Sequence, residues 1–416
     1  DDALLDTLQC ETFEYFLHEV NPRNGLIADK TREGWPASIA ATGLALAAYP
    51  IGVERGFMSR ADAAAITLTT LAFLWDSEQS TAADATGYKG FYYHFLDMDT
   101  GKRAWQCELS TIDSTFLLAG ALAAAMYFNR DEESEQRIRT LADDLYRRAD
   151  WKWAQNGAAT VTLGYKPKQG FLPYRWEGFD EALLLYVLGL GSPTHPLTDE
   201  SYAAWLSTYT WSRIYDSEFV YAGPLFIHQL SHVWIDFRGI QDAFMREKGI
   251  DYFENSRRAT CIQREYAIRN PLGFASYSKD CWGVTASDGP RPARIKVNGV
   301  DRRFYDYIAR GAPYGPDDGT IAPWAVVASL PFAPEIVMPA IRYFHDIELK
   351  QPDSYGFKAT FNPTFPVRDK TRYGWISPWH FGLNQGPIVL MIENYRTGRL
   401  WQLMRRCPYV VQGLRR

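Results

Sequence analysis

Residues 110–128 read STIDSTFLLAGALAAAMYF, and this stretch decides the fold. Ser110 stands three residues before Asp113, the spacing of a reciprocal N-terminal helix cap. No charged residue follows from Ser114 to Phe128. A helix that is apolar on every face is either enclosed by protein or spans a membrane. A span needs about 20 residues, so this shorter run predicts a core helix and no membrane insertion.

Similar signals recur on both sides. Ser59 with Asp62 opens a helix that runs to Trp75. Asp131 is the expected cap of the next, where Ile138, Leu141, Leu145, Ala149 and Trp153 fall on one helical face. Further helices are expected near Asp2–Val20, Ala37–Tyr49, Glu181–Gly189, Asp199–Thr208, Leu225–Asp236, Gly239–Arg269 (broken near Gly249), Pro323–Leu330, Pro334–Glu348 and Leu383–Tyr395. Strand-like alternation is scarce, as at Ala293–Val297. Long loops separate the helices: Asn21–Trp35, Ser77–Glu108, Thr160–Asp180, Asn270–Ala322 and Gln351–Phe381. Loops of this length usually carry function. The pattern predicts an all-α toroid of helical hairpins, with the loops forming a cleft on one rim. No Ser/Gly-rich linker divides the chain, so residues 1–416 are expected to form one domain.

Composition narrows the function. Hydrophobic residues make up 46% and charged residues 22%, with a net charge of −5 and no basic run, so a nucleic-acid partner is not expected. The five cysteines fit no zinc or CxxC spacing. Cys261 and Cys281 could pair in an oxidising compartment, although small buried hydrophobes are the default reading. No glycine-rich phosphate loop and no GxSxG elbow occurs. The chain starts at Asp1 without a Met, and an upstream signal segment is expected to have been removed. Oligomeric state is not legible.

Arg175–Tyr186, RWEGFDEALLLY, carries the chemistry. Glu177, Asp180 and Glu181 lie beside Trp176 and Phe179 at a helix start. A sugar ring can stack on the aromatic, one carboxylic acid can protonate a leaving oxygen, and another carboxylate can activate water. The plainer reading makes Asp180 an N-cap and Glu181 a first-turn acid. Tyr88–Arg103, YKGFYYHFLDMDTGKR, is either a buried connector or a sugar-stacking platform that includes Tyr93 and His94. In ELSTID, Asp113 has a structural explanation as the partner of Ser110, and Glu108 precedes it. HQLSH places His228 and His232 one helical turn apart, but Gln229 stands where a zinc protease needs Glu, so no metal is expected there. Asp317 and Asp318 read as a turn, with a rim carboxylate as the alternative. Trp35, Tyr93, Trp176 and Trp379 lie in loops where sugars could stack, and Arg175, His228 and Gln385 could bind hydroxyls.

Six ordered blocks together resemble one family: GYKGFYYHFLDMDTGKR, CELSTIDSTFLLAGAL, WEGFDEALLLYVLGLGSPTHP, YAGPLFIHQLSHVWIDFRGIQD, DDGTIAPWAVVASLPFAPE and GLNQGPIVLMIENYRTGRLW. They are similar to the glycoamylase-like family, which includes the bacterial β-1,2-glucanases of glycoside hydrolase family 144. The resemblance runs from about Thr12 to about Leu403. It implies an (α/α)6 barrel and inverting hydrolysis of β-1,2-glucan or its oligosaccharides without a cofactor. It also implies a periplasmic or secreted location. By the same resemblance Glu181 is the expected acid, with Asp113 and Glu108 on the opposite wall and Glu177 as a neighbouring carboxylate. Lys358, Ala359 and Asn384 depart from the family pattern and leave the general base open. A transglycosylase on the same scaffold and a non-catalytic glucan-binding protein remain as alternatives.

Overall fold

The computed structural model describes residues 1–349, 355–367 and 373–416. Its frame is helical, and the helices fall into two layers. In the inner layer Ile39–Arg55 packs on Thr111–Tyr127, which packs on Leu183–Gly191. Leu183–Gly191 meets Leu230–Trp234, which meets Gly382–Arg396, and that helix returns to Ile39–Arg55. Pro323–Ala328 packs against Gly382–Arg396 as well. All nine residues of Leu183–Gly191 are buried. In Thr111–Tyr127 only Met126 keeps some exposure.

The second layer covers the first. Asp2–His18, Arg60–Asp76, Glu133–Arg148, Tyr252–Arg269, Pro334–Asp346 and Pro408–Arg415 each pack outside an inner element. These helices are two-faced. Glu133–Arg148 buries Ile138, Leu141, Ala142, Leu145 and Tyr146, together with Glu135, which pairs with Arg60, and turns most of its other charged residues outward.

Local chemistry sets the boundaries. The hydroxyls of Ser38, Ser59 and Ser110 accept hydrogen bonds from the backbone N–H of Ala41, Asp62 and Asp113. Gly249 ends Ala243–Lys248 at φ 70°, which breaks the expected Gly239–Arg269 helix as anticipated. The inner pair Ile39–Arg55 and Thr111–Tyr127 crosses through glycine. A Cβ on Gly120 would lie 2.0 Å from the carbonyl oxygen of Gly43, so only glycine permits this approach.

Two local expectations are corrected. Asp131 does not cap the helix from Glu133; Glu132 holds the cap position, and buried Glu135 accepts from the Arg130 N–H. Leu225–Asp236 is a 3₁₀ turn, Leu225–His228, followed by Leu230–Trp234; the break falls at Gln229, whose backbone leaves the helical region (φ −121°, ψ −46°) while its side-chain amide donates to Ala325 O and Ser329 Oγ. Cys261 and Cys281 are free thiols, in line with the default reading, and Cys281 is buried.

The loops are more ordered than their composition suggests. Gly87–Tyr88, Phe91–Tyr93, Leu109–Ser110, Gly164–Lys166 and Gly170–Phe171 form a five-stranded antiparallel sheet. Leu109–Ser110 is its middle strand and leads directly into the Thr111–Tyr127 helix.

Candidate active site

A cavity of about 270 Å³ opens where the N-terminal turns of inner helices converge. Ile112, Asp113 and Phe116 come from one helix, Leu230 from a second, Trp324 from a third, and Leu383 and Asn384 from a fourth. Glu181 lies two residues before Leu183–Gly191 and also borders it. The loops close the sides with His94, Glu108, Leu163, Leu172, Trp176, Ala286 and Tyr307. Thus Ser77–Glu108, Thr160–Asp180 and Asn270–Ala322 all reach one mouth.

Two kinds of carboxylate face this space. Glu181 has its pKa raised to about 7, first by burial and then by the nearby charge of Asp113; its own backbone N–H partly offsets both. Neighbouring Asp180 is also pushed well up, by burial and by Glu181, while its side chain accepts from the Ala182 N–H. Glu181 therefore keeps its proton through the acidic range and titrates near neutrality.

The opposite group is an acid–imidazole cluster. His94 Nδ1 lies 2.8 Å from Glu108 Oε1, and its Nε2 lies 3.6 Å from Asp113 Oδ1. Burial opposes the imidazolium, but Asp113, Glu108 and Asp29 together overcome it and raise the His94 pKa to about 9. Both ring nitrogens then carry protons. Burial pushes Glu108 upward, yet the hydrogen bond and charge of His94 outweigh it and leave the carboxyl below its usual range. Asp113 accepts the Ser110 hydroxyl, so capping partner and cavity wall are one residue.

The structure brings together His94, Glu108, Asp113, Trp176 and Glu181 from the residues singled out by sequence. Trp176 shows an 8% exposed face and anchors its indole N–H on Thr111 Oγ1 at 2.9 Å. The others lie elsewhere. Glu177 is solvent-exposed and takes the Thr160 hydroxyl at 3.3 Å. Tyr93 is fully buried beneath the Arg103 guanidinium, so no sugar ring reaches it. His228 is buried against Ala222 O and Asn255, and burial lowers its pKa to about 4. Arg175 Nη1 donates to the carbonyls of Gln155 and Thr160, and the residue does not border the cavity. Gln385 donates to Tyr355 O, and half-buried Trp379 does not border the cavity. Trp35 packs edge-on against Trp105 and donates to Asp29 Oδ2 at 3.1 Å. His232 Nε2 meets Ser256 Oγ, so both histidines of HQLSH have structural partners. Asp318 forms a fully buried ion pair with Arg310, and Asp317 accepts from Tyr266 and Tyr277.

Two residues at or near the site escaped sequence reasoning. Asp29 is raised to about 6, mainly by burial, and interacts with His94 and Asp113. Tyr307 borders the cavity with 55% exposure. Neither lies in a recognisable motif; only the fold brings Tyr307 to the mouth and Asp29 close to His94. Of the departures from the family pattern, Asn384 lines the cavity, Ala359 is buried, and Lys358 Nζ donates to Pro378 O. A larger cavity, about 390 Å³, lies beneath the C-terminal helix, but its acids are occupied: Asp242 by the Tyr202 and Tyr252 hydroxyls, Asp199 by Arg416.

Comparison with known proteins fits this arrangement. A curated relative from Parabacteroides distasonis, an exo β-1,2-glucooligosaccharide sophorohydrolase acting at the non-reducing end, is 28% identical over 455 residues. All of this chain matches, but it spans only 58% of that protein's length. A crystal structure of a candidate glucoamylase from Bacteroides uniformis superposes with a TM-score of 0.87 at 32% identity, covering 100% of this chain and 96% of that one. The endo-β-1,2-glucanase of Chitinophaga pinensis, solved with sophorotriose and glucose, gives 0.86 at 26% identity, covering 100% and 97%. The family model for Glycoamylase, described as a candidate glucoamylase, matches residues 173–408, more than half of the chain. With its helical frame and its acid-lined mouth, this chain belongs to the glycoamylase family.

Proposed function

We propose that the protein hydrolyses β-1,2-linked glucan or its oligosaccharides, as a single (α/α)6 domain over residues 1–416 related to glycoside hydrolase family 144. The observation that carries this reading is the pairing at one mouth of a carboxyl raised toward neutrality, Glu181, with one held below its usual range, Glu108. That asymmetry is what acid–base cleavage of a glycosidic bond needs. Glu181 protonates the leaving oxygen. Glu108 and Asp113, held by the His94 imidazolium, orient and deprotonate the attacking water, so the anomeric configuration inverts. Trp176 supports the sugar ring beside Glu181. The β-1,2 linkage rests on the activities named for the two relatives. A periplasmic or secreted location follows from a polymeric substrate; no helix among the described residues is long and apolar enough to cross a membrane.

The test is a linkage panel. Linear β-1,2-, β-1,3-, β-1,4- and α-1,4-glucans are incubated with the protein, new reducing ends are counted, and the first-formed anomer is read by proton NMR. Release from the β-1,2-glucan alone, with inversion, is expected. Release from the α-1,4-glucan alone would move the substrate to starch. Retention of configuration would favour a transglycosylase, and no release from any glucan would leave a binding protein.

A further inference from the structure

We propose that Trp105 forms a distal sugar subsite for the glucan chain whose scissile bond lies at Glu181; this rests on the function proposed above. Trp105 is 55% exposed, although a tryptophan outside a binding surface is normally well covered. It is also held in place. Trp105 and Gln106 both have left-handed backbones, φ 51° and 52°, which non-glycine residues adopt only when their surroundings enforce it. Here Arg103 does so, donating to Gln106 O and to Cys107 O, both at 2.6 Å, while the Ala104 N–H donates to Phe95 O.

The indole also joins the cavity through a run of rings. His94, on the cavity wall, stacks on Phe95 with centroids 4.0 Å apart and planes 10° apart. Phe95 lies 5.1 Å from Trp105, and Trp105 lies 4.7 Å from Trp35 in an edge-on pair. Trp35 is the buttress. Lys30 and Arg32 lie over its ring, 4.1 Å and 4.6 Å from the centroid, and its N–H is committed to Asp29, whereas Trp105 presents open surface. A rigid, exposed indole connected to a catalytic cleft suits the apolar face of a hexose ring better than a water-exposed surface. The ligand class is therefore a glucosyl residue of the same chain, beyond the bond that is cut.

The experiment compares wild type, Trp105→Ala and Trp105→Phe on a β-1,2-linked trisaccharide and on long linear β-1,2-glucan. In Trp105→Ala the kcat/KM ratio of polymer to trisaccharide should fall about tenfold, the factor for losing one apolar ring face. Trp105→Phe should restore most of it, which a loop defect would not allow. An unchanged ratio in Trp105→Ala overturns the subsite. Affinity electrophoresis in gels containing each glucan is run in parallel. If wild type cleaves nothing but is retarded by a glucan, the hydrolase reading fails, and loss of retardation in Trp105→Ala upholds the subsite while equal retardation overturns it. If no glucan retards or feeds the wild type, both fall.

Discussion

Replacing Glu181 with Gln keeps the side-chain shape and removes its titration, so one change tests both chemistry and linkage. The Glu181 carboxyl rises from 4.5 to about 7 in the folded chain, a difference equivalent to about 3 kcal/mol. The group is partly open to the cavity, so this figure is a ceiling. Below 4.5 the carboxyl is protonated in folded and unfolded chains alike and adds nothing to the pH dependence. As pH rises toward 7 the unfolded chain releases a proton that the folded chain retains, and the folded state loses stability; above 7 the whole difference is lost. Glu181→Gln cannot lose it. Its melting temperature should therefore gain on wild type between about pH 5 and pH 8, by a few degrees. Turnover should drop by about 10²–10⁴-fold, the usual contribution of a general acid. The wild-type kcat/KM profile should fall on its alkaline side near pH 7. Melting scans at the two pH values and reducing-end assays on β-1,2-glucan give both readings. A variant that keeps turnover within about tenfold of wild type, or that melts with the same pH dependence, would refute the assignment of the proton to Glu181.

Three further changes probe the surroundings. His94→Gln removes the cation between Glu108 and Asp113, so the acidic limb of the kcat/KM profile should move up by about one pH unit; an unmoved limb would free those carboxylates from His94. Gly120→Ala forces a Cβ against the Gly43 carbonyl and should destabilise by about 1–3 kcal/mol or prevent folding, seen as a lower melting temperature or loss of soluble protein. Arg310→Met strands buried Asp318 and should cost about 3–5 kcal/mol, whereas Arg310→Met with Asp318→Leu should recover much of that loss in chemical denaturation.

The helical frame was legible because its signals are local. Serine caps at positions 59 and 110, the turn at Gly249 and the uncharged Ser114–Phe128 run each act over a few neighbouring residues. The loop sheet was not, because its strands are only two or three residues long and cannot show a period of two. The site divides along the same line. Glu181, Trp176, Glu108 and Asp113 sit in compact motifs at helix starts. Asp29 and Tyr307 depend on contacts between distant segments, and nothing near them in sequence marks them. Tyr93, Arg175 and His228 lie off the cavity for the converse reason. Their residue types suit sugars, but burial and backbone carbonyls had already claimed them. Asp113 shows that a cap and a site residue need not be alternatives.

The middle strand Leu109–Ser110 has ladders on both sides, with Tyr92 and Tyr93 on one and Gly164 and Tyr165 on the other. Any shift of Leu109 or Ser110 must break two registers at once, and Glu108 directly precedes them. The reacting end of this molecule is therefore poor ground for variation, whether by drift or by design. The Trp105 turn, the Leu172 edge and Tyr307 border the same mouth or its approach without that double constraint. Under the function and the subsite proposed above, chain-length preference can change at this rim while the proton-transfer geometry is inherited intact.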